Sequence, residues 1–133
     1  MPPLPPADLQ APGWSVRQGQ AVWTSAKGKD DVAGEILLAT RARGECFVQF
    51  AKPPFTLATA RAEAGGWSVE LASARRQFCG RGPGPVRFVW FALAEACCGR
   101  VVGGGWSFEA RRGTGWCLTN ALTGEMLEGY LTP

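Results

Sequence analysis

The residues of this sequence that could carry chemistry are few, and histidine is not among them. A chain without histidine lacks the commonest general base, the usual proton shuttle and the commonest metal ligand. The three lysines, Lys27, Lys29 and Lys52, fall in predicted turns, where they are not placed to activate a nucleophile. We therefore predict no catalytic residues, no metal site and no cofactor, and we expect that the protein is not an enzyme.

Five cysteines are spread along the chain without the C-x-x-C spacing of zinc or redox motifs. The odd number leaves at least one thiol unpaired unless a disulfide joins two chains. Their positions favour small buried hydrophobic side chains, and pairing in an oxidising compartment stays open. These residues are Cys46, Cys79, Cys97, Cys98 and Cys117.

The glycine-rich segment from Gly80 to Gly84 precedes a predicted helix, where a phosphate could be held by main-chain N–H groups. Neither Gly-Lys-Ser nor Gly-Lys-Thr follows it, and Pro83 and Pro85 remove N–H donors. A strand-to-helix connection is the simpler interpretation.

The length of 133 residues suits one domain with a hydrophobic core. We divide the chain into a proline-rich tail at residues 1–12 and a single domain at residues 13–133. The net charge of +3 is too small to favour a nucleic-acid partner. No segment has the pattern of a signal peptide or a membrane span, and the oligomeric state is left open.

Alternating apolar and polar residues, punctuated by glycine and proline, predict a sheet of about nine short strands. The clearest alternation runs from Trp67 to Leu71, and Pro53 and Pro54 interrupt the pattern because proline cannot donate to a strand ladder. The predicted strands are 14–23, 32–40, 46–51, 55–62, 67–71, 75–80, 106–111, 116–120 and 125–131. In the fourth strand, one face is predicted to hold Phe55, Leu57 and Thr59.

One helix is predicted from Val86 to Cys98, where apolar residues recur at the helical period. Pro85 suits the first helical position, because its missing N–H costs nothing there. Gly99 is expected to end the helix in the left-handed conformation. The helix should lie against one face of the sheet with Trp90 buried.

The aromatic residues are numerous, with six tryptophans, seven phenylalanines and a single tyrosine. Either all of them fill the core, or a strongly curved sheet keeps an apolar concave face that receives an apolar ligand. A third interpretation, single-stranded nucleic-acid binding on tryptophan platforms and the pairs Arg75-Arg76 and Arg111-Arg112, is weaker because no basic stripe is apparent.

The order of elements resembles the bacterial lipoprotein-localisation factors LolA and LolB. The segment Phe47–Thr59 is similar to the strands that flank the protruding apolar loop of LolB. Trp67–Phe78 with the following helix is similar to the middle of that family, and Gly105–Phe108 and Trp116–Tyr130 are similar to its closing strands. The fold that this resemblance implies is mainly β: a strongly curved antiparallel half-barrel of about nine strands with one covering helix.

The function that the resemblance implies is a non-enzymatic carrier or binding protein for acyl chains in outer-membrane lipoprotein localisation. The location would be periplasmic or outer-membrane-associated, and the partner would be the acyl chain of a lipoprotein or lipid, with contact to the outer-membrane surface. The loop Pro53, Pro54 and Phe55 would touch membrane or cargo. The alternative is a protein-interaction or structural β module with no ligand cavity. The expected lining of the concave face is Ile36, Leu38, Val48, Phe50, Leu57, Trp67, Val69, Trp90, Leu93, Trp106 and Trp116.

Overall fold

A computed structural model describes Leu4 and residues 7–26, 31–72 and 75–132, apart from the side chain of Arg43. The predicted turn lysines Lys27 and Lys29, and residues 1–3, 5 and 6 of the proline-rich tail, lie outside the described residues. In the described part of that tail, the backbone N–H of Leu4 donates a hydrogen bond to Ser68 Oγ at 3.3 Å.

Nine strands in the described part of the chain form one curved antiparallel sheet with a single α-helix, which confirms the predicted fold class. Each strand begins and ends within one residue of its predicted boundary. The strands are β1 Ser15–Thr24, β2 Asp31–Arg41, β3 Glu45–Lys52, β4 Phe55–Glu63, β5 Gly66–Leu71, β6 Arg76–Arg81, β7 Trp106–Ala110, β8 Gly115–Asn120 and β9 Met126–Thr132. The helix α1 is Val89–Cys97, and a short 3₁₀ turn spans Ala42–Gly44.

The strand order is β6-β5-β4-β3-β2-β1-β9-β8-β7, and the sheet does not close into a barrel. Six hairpin-linked strands are therefore followed by α1 and then by three more strands, the last of which pairs with β1. A Cβ at Gly19 would lie 1.8 Å from the Tyr130 carbonyl oxygen, and one at Gly129 would lie 2.0 Å from that of Gln20. Only glycine allows this close approach of β1 and β9.

The prediction that Phe55, Leu57 and Thr59 share one face of β4 is wrong. The pairing register shifts between Phe50 and Ala51, so that Leu57 is an extra residue in β4. Such a bulge changes which side of the sheet the following residues face. Leu57 packs against the core, but Phe55 is exposed and the buried residues beyond the bulge are alanines, not Thr59. These alanines are Ala58, Ala60 and Ala62.

The helix begins three residues later than predicted, at Val89. The Phe88 N–H donates to the carbonyl of Pro85 in a turn, and the carbonyl of Val86 accepts a hydrogen bond from Trp106 Nε1 at 2.6 Å. A helix from Val86 would have used that carbonyl within its own first turn. The helical period of the apolar residues therefore predicted the buried side of α1 correctly. It could not show that the Val86 carbonyl accepts a hydrogen bond from Trp106 instead of from the helix.

The end of α1 agrees with the prediction. Gly99 has a φ of 80°, and the N–H groups of Gly99 and Arg100 donate to the carbonyls of Ala96 and Glu95. This pair of bonds is the Schellman arrangement, which satisfies the last carbonyls of a helix.

Candidate functional site

The eleven residues predicted to line a concave apolar face all belong to one hydrophobic core cluster or pack against it. Ten of them are buried, and Leu57 is half-buried. They come from six strands and from α1, so the sheet brings together residues that are more than 70 positions apart in the chain. The structure places these residues in or against the core, and their predicted role as the lining of a ligand site stays a prediction.

Helix α1 fills the concave face with its own aromatic side chains. The Trp90 ring lies 5.4 Å from the Phe50 ring and 5.5 Å from the Trp23 ring, and Trp90 is 2% exposed. In a second aromatic group, the Trp67 ring lies 5.5 Å from the ring of Phe88, the residue that precedes α1. Aromatic pairs at such distances add about 0.5–1.5 kcal/mol beyond the area that they bury. An acyl chain could occupy this face only if α1 moved away from the sheet.

One indole N–H of this face is buried without an acceptor in the part of the chain that the structure describes. Trp116 is 4% exposed, and its Nε1 has no hydrogen-bond acceptor among the described residues. By contrast, Trp23 Nε1 donates to Glu125 Oε2 at 2.8 Å and Trp106 Nε1 to the Val86 carbonyl. Burial raises the pKa of the Glu125 carboxyl, and the bond from Trp23 opposes that effect.

The predicted membrane or cargo loop is exposed. Pro53 and Pro54 form the turn between β3 and β4, and Phe55 begins β4 as the cross-strand neighbour of Lys52. Phe55 is 70% exposed and does not pack inward. A single exposed hydrophobic side chain is common on protein surfaces, so the significance of Phe55 depends on what lies beside it.

An open hollow of ≈ 430 Å³ lies beside this loop on the outer face of the sheet. Its apolar lining comes from Val22, Ala33, Pro53 and Tyr130, on or next to four strands of the sheet. Sequence reasoning missed Val22, Ala33 and Tyr130, because the hollow depends on β9 pairing with β1. The signal that could have shown it is their place opposite the concave positions in the alternation of each strand.

A second hollow of ≈ 450 Å³ shares Gln20, Glu35 and Tyr130 with the first. Its further lining includes the amides of Gln18 and Gln49 beside Leu37 and Ala51, so this hollow is more polar than the first. The two hollows together form an outer groove with an apolar end near Pro53 and a polar end near Gln18. We call it the outer groove below.

The remaining candidates from the sequence are the five cysteines and the glycine-rich segment Gly80–Gly84. The five cysteines are free thiols. Burial raises the pKa of Cys46 to about 12 and that of Cys97 to about 11, so both thiols are protonated at neutral pH. Cys98 is exposed, Cys117 is buried and Cys79 is half-buried. The Gly80–Gly84 segment ends five residues before α1 begins, which separates it from the helix N-terminus.

Among the described residues, no group of three or more cysteine or carboxylate side chains is placed to hold a metal ion. Two glutamates instead pair with arginines around one surface hollow. Glu95 accepts two hydrogen bonds from Arg100 at 3.1 Å, and Glu45 pairs with Arg41, whose guanidinium lies 4.6 Å from the Trp14 ring centroid.

No helix in the described ranges is long and apolar enough to span a bilayer. Neither a scan against protein-family models nor a search of curated proteins finds a match to this chain. The resemblance to LolA and LolB therefore depends on the sequence segments named above.

Proposed function

We propose that the protein is a non-enzymatic carrier or binding protein for acyl chains of lipids or lipoproteins. The observation that carries the proposal is the 70% exposed Phe55 at a hairpin tip, with the apolar end of the outer groove beside it. A part in outer-membrane lipoprotein localisation, in the periplasm or at the outer membrane, follows from the resemblance to LolA and LolB alone.

The outer groove has the polarity that an acyl chain with a polar head requires. Its apolar end offers Val22, Ala33 and Pro53 to methylene groups, and its other end offers the amides of Gln18 and Gln49 to an ester or amide head. Each hollow lies within the range of about 300–1,000 Å³ that is usual for small-molecule sites. About ten buried methylenes supply a gross 8 kcal/mol, roughly the free energy of micromolar binding before the cost of ordering the chain.

The second candidate function is the protein-interaction or structural β module without a ligand cavity. The filled concave face favours this second function, because the buried side chains of Trp90, Leu93 and Phe50 occupy that face. The two functions differ in a single measurable property, which is saturable binding of an acyl chain.

Calorimetric titration with a long-chain fatty acid tests the proposal on the wild type and on two variants. Ala33→Phe places a ring in the apolar end of the outer groove and should weaken binding at least about tenfold. Phe55→Ser removes the exposed ring at the tip and should slow acyl transfer between vesicles several-fold while equilibrium binding changes little.

The matched control is Leu122→Ser, since Leu122 is 79% exposed in the β8–β9 turn and lines neither hollow. This variant should bind and transfer as the wild type does. Absence of saturable binding by the wild type would support the interaction module instead. Binding that Ala33→Phe leaves intact, accompanied by a change in tryptophan emission, would move the acyl site to the concave face beneath α1.

A further inference from the structure

Strand β7 forms one edge of the sheet and is exposed on both of its faces. Among the described residues it pairs with β8 alone, and the whole segment Ser107–Ala110 is exposed. Only Trp106, at the start of the strand, belongs to the buried core. Phe108 is 40% exposed, although its cross-strand neighbour Leu118 is completely buried. The strand therefore extends past the core and offers its second side to solvent.

The hydrogen bonds that join β7 to β8 show which main-chain groups stay open. The Arg111 N–H donates to the Gly115 carbonyl, and the Ala121 N–H donates to the Gly105 carbonyl. Hydrogen-bonded and non-bonded pairs alternate along an antiparallel ladder, so the odd-numbered residues of β7 bond to β8. The even-numbered residues direct their N–H and C=O groups away from β8, and they are Trp106, Phe108 and Ala110. We call these groups the β7 edge, and no backbone group in the described ranges bonds to them.

The β7 edge lacks the features with which proteins usually protect an edge strand. Such strands commonly carry lysine, proline or a bulge, each of which hinders pairing with another chain. The segment Trp106–Ala110 contains neither lysine nor proline, and its register with β8 is regular. An unprotected edge of this kind is suited to accepting an added strand.

The strand that fits this edge best is β7 of a second copy, related by a two-fold axis at Phe108. Pairing requires outward-directed residues opposite one another, and an antiparallel register centred on Phe108 meets this requirement for every group of the β7 edge. The large Trp106 then lies opposite the small Ala110 of the second copy. On the other face, the Ser107 hydroxyl can donate to the Glu109 carboxylate of the second copy. Each opposed pair is therefore complementary.

We propose that two copies of this protein pair through their β7 edges as a symmetric dimer, which joins their sheets into one. The two Phe108 rings lie side by side on the face that holds Trp106, because alternate residues share a face. The paired strands are five residues long, so the interface is smaller than the about 800 Å² per partner of a stable complex. The dimer is weak and reversible, with a Kd of about 10–500 μM. It does not involve the outer groove and goes beyond the acyl-binding function.

Sedimentation velocity of the full chain from about 5 μM to about 1 mM should show a reversible monomer–dimer equilibrium in this range. Hydrogen exchange followed by NMR then locates the interface. The amides of Ser107 and Glu109 bond to β8 and should be protected at every concentration. The amides of Phe108 and Ala110 should gain protection at least about fivefold as the dimer forms. Association through another surface would not protect alternate residues of one strand.

Ala110→Pro removes an N–H that points away from β8, so the ladder within the protein is kept. This variant should weaken the dimer at least about tenfold. The matched control is Ala110→Ser, which keeps the N–H at the same exposed position and should change the Kd less than about twofold. Phe108→Lys places two ammonium groups beside each other at the axis and should leave the protein monomeric. Circular dichroism should show all three variants folded.

The salt dependence gives a further test, because each copy carries a net charge of +3. Raising the salt from about 50 to about 500 mM screens the repulsion between the copies and should leave the Kd unchanged or lower it. A Kd that rises several-fold would indicate ion pairs between the copies, such as Glu109 with Arg111, and would overturn the proposed register.

Two other results would overturn the proposal. A protein that stays monomeric up to about 1 mM would show that the β7 edge does not bind a second copy. A dimer that Ala110→Pro and Phe108→Lys both leave intact would place the association on another surface.

Discussion

The two faces of the sheet differ in how deeply their side chains are buried. On the concave face, Phe50, Trp90 and Leu118 are almost completely buried and pack against one another or their neighbours. On the outer face, Gln18 and Tyr130 line a groove open to solvent. The same strands supply both faces, because successive side chains alternate. The comparison indicates that stability is concentrated on the concave face, so that side-chain changes on the outer face should disturb the core less.

The largest expected difference between the faces concerns aromatic truncation. Trp90→Ala should lower the free energy of unfolding by about 3–5 kcal/mol, because it empties a site between Phe50 and Trp23. Tyr130→Ala on the outer face, where the side chain is 41% exposed, should cost about 1 kcal/mol or less. Urea unfolding measures both, and equal losses would contradict the division between the faces.

A smaller difference concerns polar side chains. Asn120 is buried, its Oδ1 accepts from the N–H groups of Leu122 and Thr123, and its Nδ2 donates to the Gly104 carbonyl. Asn120→Ala should cost about 2 kcal/mol because these groups lose their partner. Its outer counterpart is Gln49→Ala, which removes one exposed hydrogen bond to Thr56 and should change stability by less than about 0.5 kcal/mol. The prediction is wrong if thermal melts show the two variants equally destabilised.

The smallest expected effect is the pH dependence that arises at Glu125, beside Trp23. Burial raises the folded-state pKa of Glu125 above its ordinary value of 4.5, so the folded state holds the proton more tightly than the unfolded state does. The contribution of Glu125 to stability is therefore largest below pH 4.5 and falls as the pH rises through the folded-state pKa.

Glu125→Gln removes this titration. The variant should gain stability relative to the wild type as the pH is raised from about 4 to about 8, and urea unfolding at several pH values measures the difference. Trp23→Phe removes the hydrogen bond that lowers the pKa and should steepen the same dependence. A wild-type advantage over Glu125→Gln that grows with pH would mean that the carboxylate is stabilised in the folded state.

Much of the fold could be predicted from the sequence because its signals are local. Pro53 and Pro54 mark a hairpin turn, and Gly99 marks a helix end, through properties of their own backbone. The bulge at Leu57 and the late start of α1 could not be predicted in this way. Each depends on a partner elsewhere in the chain, namely the pairing register with β3 and the indole of Trp106.

The same distinction between local signals and distant contacts applies to the candidate site. The concave residues followed from apolar alternation, and the exposed loop followed from its prolines. Whether the concave face was open or filled depends on how the volume of Trp90 and Leu93 fits the curvature of the sheet, which no local pattern contains. The outer groove needs β1 and β9 side by side, and Gln18 and Thr132 pair across 114 positions of the chain.

The pairing of β1 with β9 also sets an order of events during synthesis. Strands β1 to β6 form consecutive hairpins and can assemble as they leave the ribosome, while the second edge of β1 has no partner until residues 126–132 have been made. Contacts at such long sequence separation form slowly, and an unpaired apolar strand is prone to aggregate. The nascent protein therefore passes through a stage in which β1, an interior strand of the finished sheet, is an exposed edge.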